Sequence, residues 1–200
     1  MLTDNEVKKL REDIVFSETL KDIPFVFHTT WGIFSPRNID DGTLMLLKYL
    51  EINETDDCLD LGCGYGPIGL TMAKLAPKGE TTLVDKDFKA VEYSNINAEL
   101  NQVKNAKALL SNGFDQIQKK KFNVVVSNIP AKVGNEMLSL FLYDAYKQIK
   151  PGGKIYVVTI TGLRKYIKRN FEEVFGNYKK LKQGSNYTVA MATKEQTIRG

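Results

Sequence analysis

The sequence has little of the chemistry on which metalloproteins and disulfide-rich proteins depend. Its 200 residues include one histidine, His28, and two cysteines, Cys58 and Cys63, whose spacing is not C-x-x-C. We therefore expect no metal site, and we interpret the cysteines as reduced packing residues and His28 as structural. No apolar run approaches the length of a membrane span, and no basic-then-apolar leader begins the chain. These absences predict a cytoplasmic protein without a membrane partner.

The composition is that of an ordinary globular protein. The chain is 42% hydrophobic and 26% charged, with a net charge of +4. A chain of this length buries about 70% of its unfolded surface and needs no disulfides. We expect one main domain over residues 31–200, with a helix and a short strand of residues 1–30 packed on it. The mildly basic charge permits a nucleic-acid partner without demanding one.

Predicted strands and helices alternate through the middle of the chain. The predicted helices span residues 4–20, 40–50, 67–76, 88–101, 136–149 and 163–175. The predicted strands span residues 25–27, 57–61, 81–84, 106–110, 122–126, 154–159, 178–182 and 187–192. This order predicts an α/β fold with a doubly wound, mostly parallel seven-stranded sheet and a C-terminal antiparallel hairpin.

The most informative stretch joins the first predicted strand of that sheet to a helix. Gly62, Gly64 and Gly66 follow the strand, and Pro67 then opens the helix. Glycines adopt positive φ and let a ligand approach bare backbone, and the free N–H groups of a helix start favour an electronegative ligand group. Plain strand-to-helix connections also use glycines, so the turn alone is a weak signal.

Polar residues also stand at the ends of other predicted strands. Asp60 ends the first strand, Asp85 follows the second, and Asn128 follows the fourth. Ligands of such sheets bind beyond the carboxyl ends of the strands, where Asp85 is placed to accept hydrogen bonds from ribose hydroxyls. The pyrophosphate of a dinucleotide would disfavour Asp60, whereas a cationic amine suits it. S-adenosylmethionine, which has a sulfonium, an amine and a ribose, fits this set better.

Three segments together resemble one known family. The segment Asp60-Leu61-Gly62-Cys63-Gly64-Tyr65-Gly66 resembles the first motif of class I S-adenosylmethionine-dependent methyltransferases, whose fold is Rossmann-like. The segments at 31–35 and 40–43 resemble the entry segment of the small-domain methyltransferases, and Val126-Ser127-Asn128-x-Pro130 resembles their catalytic motif. From about residue 29 to 193 the chain is similar to that family, which includes ribosomal RNA guanine-N2 methyltransferases.

The resemblance implies a set of cofactor-binding residues. Asp60 and the three glycines would hold the methionine end, and Asp85 would hold the ribose. Asn112 stands where the family usually has an aspartate, and its side-chain carbonyl would contact the adenine amine. The full expected set for S-adenosylmethionine is Thr43, Asp60, Gly62, Cys63, Gly64, Gly66, Asp85, Lys86, Asn112, Gly113 and Asn128.

The expected catalytic residues are Asn128, Ile129, Pro130 and Ala131, which replace the family's usual Asn-Pro-Pro-aromatic tetrad. The Asn128 side-chain oxygen and the Ile129 carbonyl would accept the two N–H bonds of an exocyclic amine. The nitrogen lone pair would then face the sulfonium methyl, so that positioning supplies most of the catalysis, without a general base. Ala131 offers no ring for stacking, which gives about 1–3 kcal/mol per base. Either another aromatic residue, Trp31 or Phe34, supplies it, or the substrate is not a flipped base.

The expected substrate-binding residues are Trp31, Phe34, Lys132, Arg164 and Lys168. The two aromatic residues belong to an apolar segment that is either a lid over the site or a plug beneath it. The basic residues would contact RNA phosphates, and the alternative for them is a solvated helix face.

Three functional hypotheses stay open at this point. The first is an N-methyltransferase of an RNA base, with guanine N2 of ribosomal RNA as the target. The second is a methyltransferase of a protein side-chain amide or a small molecule, which the loss of the stacking aromatic favours. The third is a non-catalytic module that binds cofactor or RNA. In each case the protein would be a monomer or a homodimer.

Overall fold

The computed structural model describes residues 2–130 and 134–195. The helices are α1 (Asp4–Leu10), α2 (Asp41–Tyr49), α3 (Pro67–Leu75), α4 (Phe88–Leu100), α5 (Asn135–Gln148) and α6 (Arg164–Phe175). The strands are β1 (Ile14–Leu20), β2 (Ile23–Thr29), β3 (Cys58–Leu61), β4 (Thr81–Asp85), β5 (Ala106–Leu110), β6 (Phe122–Asn128), β7 (Ile149–Ile160), β8 (Lys179–Gln183) and β9 (Tyr187–Thr193). A single 3-10 turn, Thr161–Leu163, separates β7 from α6.

The large sheet has seven strands in the order β5-β4-β3-β6-β7-β9-β8. The first five run parallel, while β9 pairs antiparallel with both β7 and β8. The predicted doubly wound sheet with a C-terminal antiparallel hairpin is therefore confirmed. The edge strand β8 carries exposed lysines, a composition that discourages pairing with a further strand.

The hydrophobic core lies on both faces of this sheet. Alternate residues of a strand point to opposite faces, so Val124 and Val126 of β6 join one cluster while Val125 joins the other. Helices α2, α3 and α4 cover the first cluster, and α5 and α6 cover the second. Near-continuous apolar strands such as β6 are thus buried on both sides, as parallel sheets require.

The N-terminal segment corrects one prediction. The expected helix over residues 4–20 ends at Leu10, and residues 14–20 form β1, which pairs antiparallel with β2. Lys21 and Asp22 both have positive φ, +54° and +63°, as a two-residue hairpin turn demands. The spacing of Val7, Leu10 and Ile14 suggested a helix, but the alternating burial of residues 14–20 is that of a strand.

The hairpin is fastened to α4 by two asparagines. Asn101 accepts a hydrogen bond from the Val26 N–H and donates to the Val26 carbonyl, at 2.9 and 2.7 Å. Asn97 makes the same pair of bonds with His28 of β2, at 2.7 and 3.0 Å. These side chains satisfy backbone groups along the outer edge of β2, which places the start of the entry segment beside the large sheet.

In the described part of the chain, no helix has both the length and the apolar character needed to cross a bilayer.

Candidate active site

A cavity of about 450 Å³ opens at the carboxyl ends of β3, β4, β5 and β6. Its walls come from the glycine-rich turn after β3, the loops after β4 and β5, the end of β6, and the segment that precedes α2. The sequence pattern placed its candidate residues at these strand ends, and the parallel sheet brings most of them into one space.

The glycine-rich turn forms the floor of the cavity. Gly62, Gly64 and Gly66 have φ values of +79°, +57° and +98°, a region in which other residues are strained. A Cβ added at Gly62 or Gly64 would meet no described atom within 4 Å, because both residues face open space. Gly66 instead caps the start of α3 and packs against Ser94 and Leu70.

Asp60 lies behind the cavity and not in its lining. The side chain is 0% exposed, and its Oδ2 accepts a hydrogen bond from the Gly69 N–H at 2.7 Å. Gly69 lies in the first turn of α3, so Asp60 caps a helix whose own N-cap residue, Gly66, has no side chain. Burial raises the pKa of Asp60 to about 7, and its Oδ1 has no hydrogen-bond partner among the described residues. Asp60 therefore acts on the glycine turn from beneath, and a direct contact with a ligand would require the turn to move.

Asp85 lines the cavity and also holds the glycine turn. Its Oδ2 accepts the Gly64 N–H at 3.0 Å, and its Oδ1 accepts the Asp87 N–H at 2.9 Å. From the other side, the Ser94 hydroxyl donates to the Gly64 carbonyl at 2.9 Å. The Asp85 carboxylate still has lone pairs that face the cavity, which suits the predicted bonds to ribose hydroxyls.

The loop after β5 closes the far end of the cavity. Ser111 is buried and donates to the Gly113 carbonyl at 2.8 Å, which fixes a turn in which Gly113 has a φ of +59°. Asn112, Lys86 and Cys63 also line the cavity, as predicted. Phe141 of α5 packs against Gly113 so closely that a Cβ there would lie 2.8 Å from its ring. Phe141 therefore forms an apolar wall beside the expected adenine position.

Asn128 lies at the end of β6 and faces the cavity across from the glycine turn. Its Nδ2 donates to Asp40 Oδ2 at 2.9 Å and to Thr43 Oγ1 at 3.0 Å. The next residue, Ile129, is fixed by a hydrogen bond from its N–H to the Val158 carbonyl at 2.9 Å. The loop that carries the predicted catalytic residues thus begins in a defined geometry. Ala131 and Lys132 lie outside the described residues.

The apolar segment before α2 contributes a buried and an exposed residue to the cavity. Ile33 is buried within the segment, while Phe34 lines the mouth of the cavity and is 67% exposed. Trp31 is 58% exposed and lines a neighbouring groove, where the Arg11 guanidinium lies 5.8 Å from its ring centre. Of the two predicted stacking residues, the structure therefore places only Phe34 in the cavity.

Of the predicted basic residues, Arg164 and Lys168 are described, and neither lines the cavity. Arg164 begins α6, and its guanidinium donates to the Thr161 carbonyl at 3.2 Å. Lys168 is exposed one turn later and lies 3.6 Å from Glu172. Because α6 starts just after β7 ends, this helix start shares the edge of the sheet at which the cavity opens.

The sequence reasoning missed several residues at the site, among them four that bear on its chemistry. Asp40, Met137 and Phe141 line the cavity, and Tyr187 bonds Asp40 through its hydroxyl at 3.0 Å. The pattern Asp40-x-Gly42-Thr43 was assigned to a helix start and to the family's entry segment, with Thr43 as a cofactor residue, but Asp40 itself was given no role at the site. No sequence signal marks Tyr187, which is one of nine tyrosines.

The scarce residues take no part in the cavity's polar chemistry. His28 bonds Asp13 at 3.0 Å and packs edge-on against Tyr93, outside the cavity. Cys58 is buried and free, and burial raises the pKa of its thiol to about 12. Cys63 is also buried and free, and burial raises the pKa of its thiol well above the usual value. Within residues 2–130 and 134–195, no group of three or more His, Cys, Asp or Glu residues could hold a metal ion.

Comparison with known proteins adds a family to this geometry. The sequence profile of the methyltransferase small domain matches residues 24–191. The ribosomal RNA small subunit methyltransferase C of Hamiltonella defensa is 32% identical over 166 residues, which cover 81% of this chain and 48% of that protein. An uncharacterized Bacillus subtilis protein, YbxB, is 29% identical over 183 residues and is covered to 90%.

One solved structure is similar over nearly the whole chain. It is the Thermus thermophilus 16S rRNA N2 G1207 methyltransferase, RsmC, in complex with AdoMet and guanosine. The two chains superpose with a TM-score of 0.83 at 28% identity, over 92% of this chain and 51% of that one. The chain thus spans about half the length of the two ribosomal RNA methyltransferases that it resembles.

Proposed function

This chain belongs to the methyltransferase small domain family, and from that premise we propose that it methylates an exocyclic amine of an RNA base. The proposed target is guanine N2 in ribosomal RNA. Two relatives carry names that support this choice, since one is a ribosomal RNA methyltransferase and the other is bound to guanosine. A ribosomal RNA substrate also implies the cytoplasm as the place of action.

The protein is an S-adenosylmethionine-dependent methyltransferase, and the cavity fits that cofactor. Gly62 and Gly64 present backbone where a side chain would fill the space, and Asp85 offers carboxylate lone pairs to a ribose. Asn112 and Phe141 provide an amide and an apolar wall for an adenine. When bound, the cofactor supplies a methyl group on a sulfonium, which is already a strong methyl donor.

The proposed amine chemistry depends on one observation above all. Both N–H donors of the Asn128 amide are used inside the protein, so its Oδ1 is left to accept a hydrogen bond at the cavity. An exocyclic amine offers such N–H groups, and holding them fixes the direction of the nitrogen lone pair. No described group need act as a base for this step, because positioning of the amine against the methyl supplies the rate gain.

The mouth of the cavity suits a nucleic-acid base that is flipped out of its helix. Phe34 is exposed there, and stacking of a base on an aromatic ring contributes about 1–3 kcal/mol. We assign to Phe34 the stacking role that Ala131 cannot fill.

The start of α6 is arranged to meet phosphate. Arg164 and Lys165 occupy the first turn of α6, which has no acidic residue, so two positive charges lie at the positive end of the helix dipole. Each such charge costs the fold about 0.3–1 kcal/mol unless an anion is present. An RNA backbone that passes the cavity mouth would supply this anion.

The test is methyl transfer from radiolabelled S-adenosylmethionine into naked ribosomal RNA, isolated ribosomal subunits and total protein, run in parallel with the full chain. We expect label in an RNA fraction, and nuclease digestion to nucleosides should identify N2-methylguanosine. Label confined to protein would move the target to a side-chain amide. Cofactor binding without transfer to any fraction would contradict the proposal and favour a small-molecule substrate or a silent binding module.

A further inference from the structure

The amide of Asn128 is held by groups from two distant parts of the chain. We propose that Asp40, itself held by the Tyr187 hydroxyl, is a positioning residue that turns Asn128 Oδ1 towards the target amine. The inference rests on the proposed function for its chemical meaning, since an amine must be present to use the oxygen. Its geometry stands on the hydrogen bonds of the described residues alone.

The bonds form a chain that ends at Asn128. Tyr187 donates its hydroxyl to Asp40 Oδ1 at 3.0 Å, and Asp40 Oδ2 accepts the Asn128 Nδ2–H at 2.9 Å. The same Oδ2 accepts the Thr43 N–H at 3.2 Å, which makes Asp40 the N-cap of α2. Thr43 Oγ1 accepts the second Nδ2–H of Asn128 at 3.0 Å.

The acceptor character of Asp40 decides which way the amide faces. An ionised carboxylate has lone pairs only, so it can face the Nδ2 of an amide but not its oxygen. A flipped Asn128 would place Oδ1 against Asp40 Oδ2 and would lose a charge-assisted bond. Among the described residues none donates to Asn128 Oδ1, which leaves that oxygen for a ligand.

Gly42 provides the space that this arrangement needs. A Cβ at Gly42 would lie 2.8 Å from Asp40 Oδ2 and 3.0 Å from two carbons of the Tyr187 ring. Both distances are shorter than ordinary contacts, so a side chain there would push the carboxylate and the ring apart. In the pattern Asp40-x-Gly42-Thr43, the aspartate thus provides an acceptor for Asn128, the glycine leaves space for the carboxylate, and the threonine provides a second acceptor through its hydroxyl.

The C-terminal hairpin brings Tyr187 to this place. Tyr187 is the first residue of β9, and the turn before it packs on α2, where a Cβ at Gly184 would lie 2.9 Å from the end of Met45. The turn also bonds the end of β7, through the Thr161 N–H and the Asn186 carbonyl at 2.8 Å. The hairpin therefore reaches the active site through Asp40, although it lines none of the cavity.

The proposal is tested with four variants of the full chain: Asp40→Ala, Asp40→Asn, Tyr187→Phe and the control Tyr143→Phe. In Asp40→Asn, the oxygen of the new side chain still accepts the hydrogen bond from Asn128, and its nitrogen donates to the Tyr187 hydroxyl. The variant therefore preserves the geometry but removes the charge. Tyr143 is exposed on α5, and no described residue shares a hydrogen bond with its hydroxyl. Three quantities are measured on each variant: the rate of methyl transfer in a single turnover, the cofactor affinity, and the hydrogen exchange of the Asn128 side-chain amide by NMR.

We expect Asp40→Ala to slow transfer at least about tenfold and Tyr187→Phe about two- to tenfold, with cofactor affinity unchanged. Asp40→Asn should stay within about threefold of the unmodified protein, which separates positioning from general-base catalysis. The Asn128 amide protons should exchange slowly in the unmodified protein and in Tyr143→Phe, and faster in Asp40→Ala.

The inference would be overturned by transfer in Asp40→Ala at the unmodified rate. It would also be overturned if the Asn128 amide protons of the unmodified protein exchanged as fast as those of a surface asparagine. A collapse of activity in Asp40→Asn would also overturn it, in favour of Asp40 as a base. If the unmodified protein methylates no RNA, the proposed function fails, and the exchange data alone still decide the orientation of Asn128.

Discussion

In the cofactor half of the cavity, formed by the glycine turn with Asp60 and Asp85, the carboxylates bond residues of the same or the next strand connection. In the target half, formed by Asn128, Asp40 and Tyr187, the side chains are joined across long stretches of sequence. Gly69 and Asp60 are 9 residues apart, and Gly64 and Asp85 are 21 apart. Asn128 and Asp40 are 88 apart, and Tyr187 and Asp40 are 147 apart. The cofactor half is made of backbone turns held by one buried and one half-buried carboxylate, and the target half is made of side chains that meet only in the finished fold.

This difference predicts how each half responds to amino-acid substitutions. The glycine turn depends on backbone conformations with positive φ, so substitutions within it should lower the cofactor affinity directly. A side-chain network assembled from three elements depends on the placement of those elements, so distant substitutions should affect transfer. The predictions below test this division.

The largest effect on cofactor affinity is expected from Gly62→Ala. Gly62 has a φ of +79°, and an added Cβ would enter the open space of the cavity. Alanine at such a φ costs about 1–2 kcal/mol, and the methyl group also occupies cofactor space. We expect cofactor affinity, measured by calorimetry, to fall at least about tenfold.

The matched control is Gly176→Ala. Gly176 ends α6 with a φ of +73°, and an added Cβ there also meets no described atom within 4 Å, but it lies outside the cavity lining. It should lower the free energy of unfolding by a similar amount and leave cofactor affinity unchanged. Equal affinity losses in the two variants would mean that the glycine turn acts only through stability, which breaks the comparison.

A smaller effect is expected from Asp60→Asn, and it appears in stability. Burial raises the pKa of Asp60 from an ordinary 3.8 to about 7, so the folded protein holds the proton that the unfolded chain has lost. Stability therefore falls as pH rises from about 4 to about 7, and it stays at the lower level above that. A shift of this size corresponds to about 4 kcal/mol.

Asparagine at position 60 removes this dependence on pH. It keeps an acceptor for the Gly69 N–H. Its amide nitrogen, however, takes the place of Oδ1, which has no partner, and burying this donor unpaired costs about 1–3 kcal/mol of the stability gained by removing the charge. At pH 8 we expect a net gain of about 1–3 kcal/mol in the free energy of unfolding, from urea titrations at several pH values. A difference between the two proteins that does not grow between pH 4 and pH 7 would show that Asp60 is ionised normally.

The smallest effect is expected from Arg164→Glu at the start of α6. The RNA affinity should fall a few-fold. In a plot of the logarithm of affinity against the logarithm of salt concentration, the magnitude of the slope should decrease by about one, because one phosphate contact is lost. Stability should stay within about 1 kcal/mol, since an acidic residue suits a helix start and offsets the lost bond to Thr161.

Lys104→Glu is the control for this change of charge. Lys104 is exposed just before β5, at the end of the sheet opposite the cavity. It should leave RNA affinity and the salt slope nearly unchanged. Equal losses in both variants would mean that net charge alone attracts RNA, and the basic helix start would then be a solvated face.

The division between the halves also explains what the sequence could predict. The glycine turn, Asp85 and Asn128 were found because each follows a strand, and a parallel sheet gathers strand ends at one edge. Their roles as ligands of cofactor and substrate stay predictions. The seven-stranded sheet was predicted from the alternation of apolar strands and amphipathic helices, which is a local signal.

The sequence could not predict the contacts that arise from packing. Tyr187 meets Asp40 because the C-terminal hairpin folds over α2, and no local pattern encodes that meeting. Asp60 was expected in the cavity, but the tight turn after β3 places its carboxylate under α3. The segment 14–20 was predicted helical, because its strand becomes evident only when β2 and the asparagines of α4 are in place.

The most direct test of the account is a paired measurement on Asn128→Ala. Cofactor affinity is measured by calorimetry and methyl transfer by single turnover at saturating cofactor, with thermal unfolding as a check on the fold. Asn128 was also expected to contact the cofactor, but both of its N–H donors are used by Asp40 and Thr43. We therefore expect unchanged affinity and transfer that is at least about a hundredfold slower, because the variant removes the acceptor that holds the amine. Transfer at the unmodified rate would contradict the assigned target half, and a parallel loss of cofactor affinity would contradict the separation of the two halves.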